Sequence, residues 1–259
     1  LIKRPDALIL QATGTNRDSD AVHAVELAGG KATILHVNQL RTRPARLRDF
    51  QMLLLPGGFS YGDALGAGRL FSADLSWLFQ DELARFIEER KPVIGICNGF
   101  QALVKSGWLP GVSADLPQAT LTHNVSNRFE CRWVWLEPQT GSPCIFIRNL
   151  VERIFCPVAH AEGRFVPRDD GVLADLQANQ QIALTYVGED DGPAEYPANP
   201  NGSSADIAAI CNAQGNVLGL MPHPENHIFP WQHPRWTRGE SGNMGLALFE
   251  QAVSYAAEL

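Results

Sequence analysis

One pentapeptide restricts this chain more than any other feature. Gly95-Ile96-Cys97-Asn98-Gly99 sits between an apolar run, Val93–Ile96, and a stretch of helical character over 98–106. A strand that turns directly into a helix lifts the residue at the turn above the sheet, and glycines on both sides relieve the crowding a Cβ would cause. A cysteine there lies at a helix amino end, which favours its thiolate form. On its own the pattern fits a buried structural cysteine equally well.

The rest of the amino-terminal half repeats the alternation of strand and helix. Apolar runs over 7–11 (ALILQ), 32–37, 51–55 and Val93–Ile96 read as strands. Helical stretches over 23–28, capped by Ser19 or Asp20 and closed by Gly29-Gly30, and over 81–90 separate them. Such alternation implies a mostly parallel sheet covered on both faces. After Gly107 strands dominate: 129–136 (FECRWVWL), 144–147, Ile182–Val187, 206–211 and 217–221. A closing helix is expected over 242–257, burying Met244, Leu246, Leu248, Phe249 and Val253. No linker is long enough to divide the chain, so a single domain over 1–259 is expected. The polar stretch 189–204 is too long for a plain connection and reads as a functional loop.

A thiolate nucleophile needs a base and a group to orient that base. Met221-Pro222-His223-Pro224-Glu225 offers both. Pro224 biases His223 towards an extended backbone, where residues two apart share a side, so Glu225 can reach the imidazole. That contact would fix the tautomer and stabilise an imidazolium. A third element is Pro56-Gly57-Gly58-Phe59, which follows a strand. Its glycines can turn backbone N–H groups into a cleft, and with the N–H of Asn98 those groups could form an oxyanion hole. Taken singly, the first of these is a histidine in a proline-rich turn and the second an ordinary tight turn.

Composition narrows the partners. Acidic side chains outnumber Lys and Arg by 28 to 21, a net charge of −7, which argues against nucleic acid. The basic run Arg41, Arg43, Arg46 and Arg48 reads as a solvated loop face, or else as a docking patch. Five cysteines, an odd number without C-x-x-C spacing, argue against a zinc cage or a disulfide framework and fit reduced thiols in the cytoplasm. No apolar stretch reaches about 18 residues, so no membrane span is expected. The opening LIKRP has no signal-peptide pattern and no initiating Met, which fits a chain trimmed at its start.

The order P-G-G, G-x-C-x-G-x-Q, H-P-E resembles that of the class I, triad-type glutamine amidotransferases. Gly14-Thr15-Asn16, PGGFSYGD over 56–63, GICNGFQ over 95–101, NVSNRFE over 124–130, AHAEGR over 159–164, NPNGS over 199–203 and GLMPHPE over 219–225 sharpen it. Together these segments are similar to the glutaminase subunits of phosphoribosylformylglycinamidine synthases, over nearly the whole chain. The resemblance implies a flavodoxin-like α/β fold. It implies Cys97 as nucleophile, His223 as proton shuttle, Glu225 as its orienter, and Gly58 and Asn98 as oxyanion donors. It implies that Gln101 holds the amino-acid end of glutamine, and that Ser126, Arg128 and Phe129, with Phe59, line the glutamine pocket. His160, Glu162 and Arg164 fall on the partner-facing side, unless they form a surface salt-bridge cluster.

The implied reaction releases ammonia from glutamine. An ATP-dependent synthetase subunit (PurL type), with or without a small bridging subunit (PurS type), would use it to convert formylglycinamide ribonucleotide to its amidine. No metal or cofactor is expected on this chain. It lacks a G-x-x-x-x-G-K-[ST] loop, so ATP and Mg are expected on the partner. The chain departs from the family pattern at Arg17 and over 63–72, and looks lengthened over 134–149 and 230–240. Two rival activities stay open: a class I glutaminase serving another acceptor, and a cysteine hydrolase or peptidase on a related fold. A non-catalytic module that kept the fold is the third alternative.

Overall fold

The computed structural model describes residues 4–111, 117–190, 192 and 194–259. Residues 1–3 of the opening segment, and 191 and 193 of the polar loop, lie outside the described residues. The strands are β1 Asp6–Gln11, β2 Lys31–His36, β3 Met52–Leu55, β4 Val93–Ile96, β5 Ala119–Thr122, β6 Glu130–Pro138, β7 Ile154–His160, β8 Arg164–Pro167, β9 Ile182–Val187, β10 Ile207–Cys211 and β11 Val217–Leu220. The helices are α1 Asp18–Leu27, α2 Val37–Thr42, α3 Arg69–Trp77, α4 Gln80–Glu88, α5 Asn98–Lys105, α6 Asp170–Ala178 and α7 Leu246–Ala256.

Nine strands form one sheet in the order β2-β1-β3-β4-β11-β10-β9-β6-β7. From β2 to β11 the neighbours run parallel. From β11 to β7 they run antiparallel. β5 and β8 pair in a separate two-stranded ribbon. The central strands β3, β4 and β11 are buried at every position, as the continuous apolar text of MLLL, VIGI and VLGL requires when helices cover both faces. At the far edge β7 alternates between buried and half-buried positions. No helix among the described residues is long and apolar enough to cross a membrane.

Several local expectations differ from the structure. Cys144 and the residues after it form a short 3-10 turn over Ile145–Ile147 rather than a strand. All four side chains are buried, and a short apolar run covered all round carries no period to distinguish the two. Helix α1 begins after Arg17 with no side-chain cap, and Asp18 and Asp20 occupy its first turn instead. Helix α7 starts at Leu246; Leu248, Phe249 and Val253 are buried, whereas Met244 and Leu246 are only half-buried. The basic run lies on α2 and a 3-10 turn, where Arg48 makes a two-point bond to Glu82 at 2.7 and 2.8 Å on a solvated face. Strand β7 was hidden by Pro157, a residue tolerated because β7 is the sheet edge.

The close approach of α5 to the sheet is what positions the centre of the molecule. A Cβ on Gly99 would lie 2.0 Å from the carbonyl oxygen of Leu55, and one on Gly95 would lie 2.8 Å from the carbonyl carbon of Gly99. The backbones are therefore in contact where any side chain would wedge them apart. Gly99→Ala should cost about 2–3 kcal/mol of stability, the upper range for overpacking. Denaturant titration of the variant measures this; a loss below about 0.5 kcal/mol would mean that α5 can back away from β3.

Candidate active site

Strands β3, β4 and β11 are neighbours, and the chain leaves all three at the same end of the sheet. The segments that follow them carry Gly57-Gly58, Cys97 and His223. Residues far apart in sequence therefore meet at the carboxyl ends of parallel strands, where open α/β sheets place ligands.

Cys97 links β4 to α5 with φ 51° and ψ −103°, a left-handed φ that is strained for a residue with a Cβ. Its N–H donates to Leu220 O on β11 at 2.7 Å. The thiol is 6% exposed and faces Ala159 O at 3.8 Å. His223 is held by its own N–H, which donates to Pro157 O on β7 at 2.8 Å. Its Nδ1 lies 2.6 Å from Glu225 Oε1. That leaves the other ring nitrogen free to face Cys97, whose sulfur acts on the imidazole electrostatically. The Cys97 and His223 side chains converge over Gly57, where an added Cβ would come within 2.7 Å of His223 Cε1 and 3.4 Å of Cys97 Cβ. Glu225 reaches the ring from a 3-10 turn over Pro224–Asn226, not from an extended strand.

The electrostatics separate two buried histidines. Burial alone would push the His223 imidazole down, but the Glu225 carboxylate and the Cys97 sulfur outweigh it and hold the value at about 10. His160, 3% exposed, is pushed down to about 4, by burial first and by His223 second. At neutral pH His223 is therefore a cation and His160 is neutral. Because the folded value of His223 is raised, its pairing contributes stability in full below the ordinary value of 6.5. That contribution is lost as pH rises through about 10.

Gly58, Phe59, Gln101 and Phe129 line the pocket in front of Cys97, together with Asp63, Ala67, His160 and Glu162. The backbone N–H groups of Gly58 and Asn98 carry no hydrogen bond among the described residues. Gln101 is occupied within the fold: its Oε1 accepts from Asn98 Nδ2 at 3.1 Å and its Nε2 donates to Glu162 O at 2.7 Å. Ser126 and Arg128 stand apart from this pocket. Ser126 Oγ donates to Glu130 at 2.8 Å and borders a second cavity beside Tyr196, and Arg128 is exposed. His160 and Glu162 belong to the Cys97 pocket rather than to an exposed cluster, and Arg164 donates to Gly202 O at 3.1 Å.

Sequence reasoning missed Asp63, Lys105 and Asn124. Asp63 ended a motif quoted only for its resemblance. Lys105 lies one turn beyond Gln101, bonds Ala67 O and sits 3.9 Å from Glu162. Asn124 ties the 124–129 loop to β7, donating to His160 O at 2.8 Å and accepting from Gly163 N at 3.0 Å. Among the described residues no group of three His, Cys, Asp or Glu could hold a metal ion.

Glu225→Gln should lower the titration midpoint of His223 from about 10, because burial is then opposed only by the Cys97 sulfur. Titration of the imidazole by NMR checks this; an unmoved midpoint would assign the shift to another group.

Residues 4–256 match the CobB/CobQ-like glutamine amidotransferase domain. The subunit PurQ of phosphoribosylformylglycinamidine synthase from Treponema denticola is 49% identical over 97% of this chain and 99% of its own length. The PurQ subunit from Dehalococcoides mccartyi is 42% identical over 97% and 98%. Among solved structures, a chain of PurLQS from Thermotoga maritima superposes with a TM-score of 0.74 at 30% identity, covering 98% of this chain and 99% of that one. A second glutamine amidotransferase from Thermotoga maritima shares the fold, with a TM-score of 0.55 at 15% identity. A strained cysteine turn, a buried His–Glu pair and full-length similarity meet in one chain, which belongs to the CobB/CobQ-like glutamine amidotransferases and, within them, to the PurQ subunits of phosphoribosylformylglycinamidine synthase.

Proposed function

We propose that this chain hydrolyses glutamine with a Cys97–His223–Glu225 triad and delivers ammonia to a synthetase that converts formylglycinamide ribonucleotide to its amidine. The observation that carries the reading is the buried His223–Glu225 contact of 2.6 Å beside a cysteine on a left-handed strand-to-helix turn. The thiolate of Cys97 attacks the carboxamide carbon of glutamine. The oxygen gains negative charge and receives the free N–H groups of Gly58 and Asn98. His223, charged at neutral pH, donates its proton to the leaving nitrogen as the C–N bond breaks. Ammonia departs and a γ-glutamyl thioester remains on Cys97. His223, now neutral, takes a proton from water as the water attacks the thioester, and glutamate leaves with the thiolate restored. Glu225 keeps the imidazole oriented and balances its charge throughout.

Phe59, Gln101 and Phe129 shape the pocket for a single amino acid, with Gln101 acting through the groups it fixes. Ser126 and Arg128 support the Phe129 loop from outside the pocket. The reading includes glutamine as substrate and an ATP-dependent PurL-type synthetase as partner, with or without a PurS-type bridging subunit. ATP and Mg belong to that partner, this chain needs no cofactor, and the location is cytoplasmic. Its support is the PurQ naming of the full-length relatives and the likeness to a chain of a PurLQS assembly.

The test is labelling with 6-diazo-5-oxo-norleucine, followed by intact-mass analysis and peptide mapping. One adduct on Cys97, blocked by excess glutamine, is expected. Cys97→Ser should lower glutaminase turnover by at least about 10³-fold while ammonia-dependent synthesis by the complex persists. Absence of the adduct with and without the synthetase would overturn the mechanism.

A further inference from the structure

We propose that Asp63 is a positioning residue for the oxyanion hole, holding the Gly58 loop in register with the amino end of α5 through the side chain of Asn98. The inference rests on the assignment of Cys97 as nucleophile.

The loop after β3 has an unusual backbone. Tyr61, Gly62 and Asp63 are three consecutive left-handed residues, with φ of 57°, 63° and 51°. Two of the three carry a Cβ, so the conformation persists only if its surroundings hold it. One set of bonds secures the loop to the 13–15 turn and to α3. Phe59 N donates to Gly14 O at 3.1 Å, Tyr61 N to Thr13 O at 2.5 Å, and Tyr61 Oη to Asp74. None of these touches the segment that carries Cys97.

The bonds that cross from residues 57–63 to α5 all end on Asn98, among the described residues. Asn98 Oδ1 accepts from Ser60 N at 3.1 Å and also from Ser60 Oγ. Asn98 Nδ2 donates to Asp63 Oδ1 at 3.0 Å and to Gln101 Oε1 at 3.1 Å. The amide is 1% exposed and its four hydrogen-bonding positions are filled. An amide is pseudo-symmetric, so its direction is set by its partners. The Asp63 carboxylate accepts and does not donate, which forces the NH2 end towards it and the oxygen towards Ser60. Asn98 thus joins the two proposed oxyanion donors: its own backbone N–H and, through Ser60, the loop that begins at Gly58. Without the acceptor at position 63, Nδ2 keeps only Gln101, and the loop is held to Asn98 through Ser60 alone, with nothing at its far end to fix the amide.

The experiment compares wild type, Asp63→Ala and Asp63→Asn in the full chain, with and without synthetase. Three readouts are taken: kcat and KM for glutamine, inhibition by glutamate γ-semialdehyde, and alkylation of Cys97 by iodoacetamide. The aldehyde adds the thiolate and creates an oxyanion; the alkylation creates none. Asp63→Ala should lower kcat about 10- to 100-fold with KM within about twofold, because a donor is displaced rather than removed. Semialdehyde inhibition should weaken in parallel, alkylation should stay within about twofold, and Asp63→Asn, which keeps an acceptor oxygen, should recover most of the loss. A rise in KM alone would overturn the inference by making Asp63 a substrate contact. Alkylation slowed as much as turnover would overturn it by making Asp63 a support of the whole turn. If Asp63→Ala does not fold, Ser60→Ala carries the same readouts. Cys97→Ala separates the two failures. Glutaminase activity retained there overturns the nucleophile and this inference with it, whereas an inert Cys97→Ala beside an unaffected Asp63→Ala overturns this inference alone.

Discussion

The close contact between α5 and the sheet governs the geometry of the whole centre. Gly95 on β4, Gly99 on α5 and the Leu55 carbonyl on β3 meet without an intervening side chain. A helix pressed that closely against the end of its own strand leaves no residue for a relaxed turn. Cys97 must absorb the reversal, and it does so in a left-handed conformation. The strain is held by the packing around it: Ile96 and Phe100 are fully buried, and the N–H of Cys97 is tied to Leu220 O. The same contact aims the amino end of α5, with its free N–H groups, at the space in front of the sulfur.

Electrostatics then divides the labour among buried groups. His223 and His160 are both almost wholly buried, and burial by itself would keep both neutral. Only His223 has a carboxylate at hydrogen-bond distance, and that difference makes one imidazole a cation and the other a neutral ring. The cost of burying Glu225, 1% exposed, is offset only while His223 stays charged beside it. The pair therefore fixes both the charge and the orientation of the imidazole.

The antiparallel half of the sheet acts as the far wall of the site. Pro157 O on β7 fixes the backbone of His223, and Ala159 O faces the thiol. Asn124 holds the Phe129 loop against the end of β7. Behind it, Asn199, Asn201 and Ser203 form a buried network that includes Tyr186 and the N–H of Phe165 on β8. The polar 189–204 stretch is thus a scaffold over its second half, which is why so many small polar residues occur there.

The sequence by itself determined the alternating parallel core, because continuous apolar runs and glycine punctuation are local signals. It also marked Cys97, His223 and Glu225, since each lies in a short pattern whose chemistry is readable without neighbours. The strand β7 stayed hidden behind Pro157, and α3, α6 and the β5–β8 ribbon carried no decisive period. Tertiary structure alone decided that His160 and Glu162 turn into the pocket and that Ser126 stays out of it. It alone decided that the side chain of Gln101 is spent on Asn98 and Glu162. It alone brought Asp63 to Asn98, across 35 positions of chain. The physical reason is common to all of these: an orientation or a partner set by sheet order and helix approach has no counterpart in the spacing of residues along the chain.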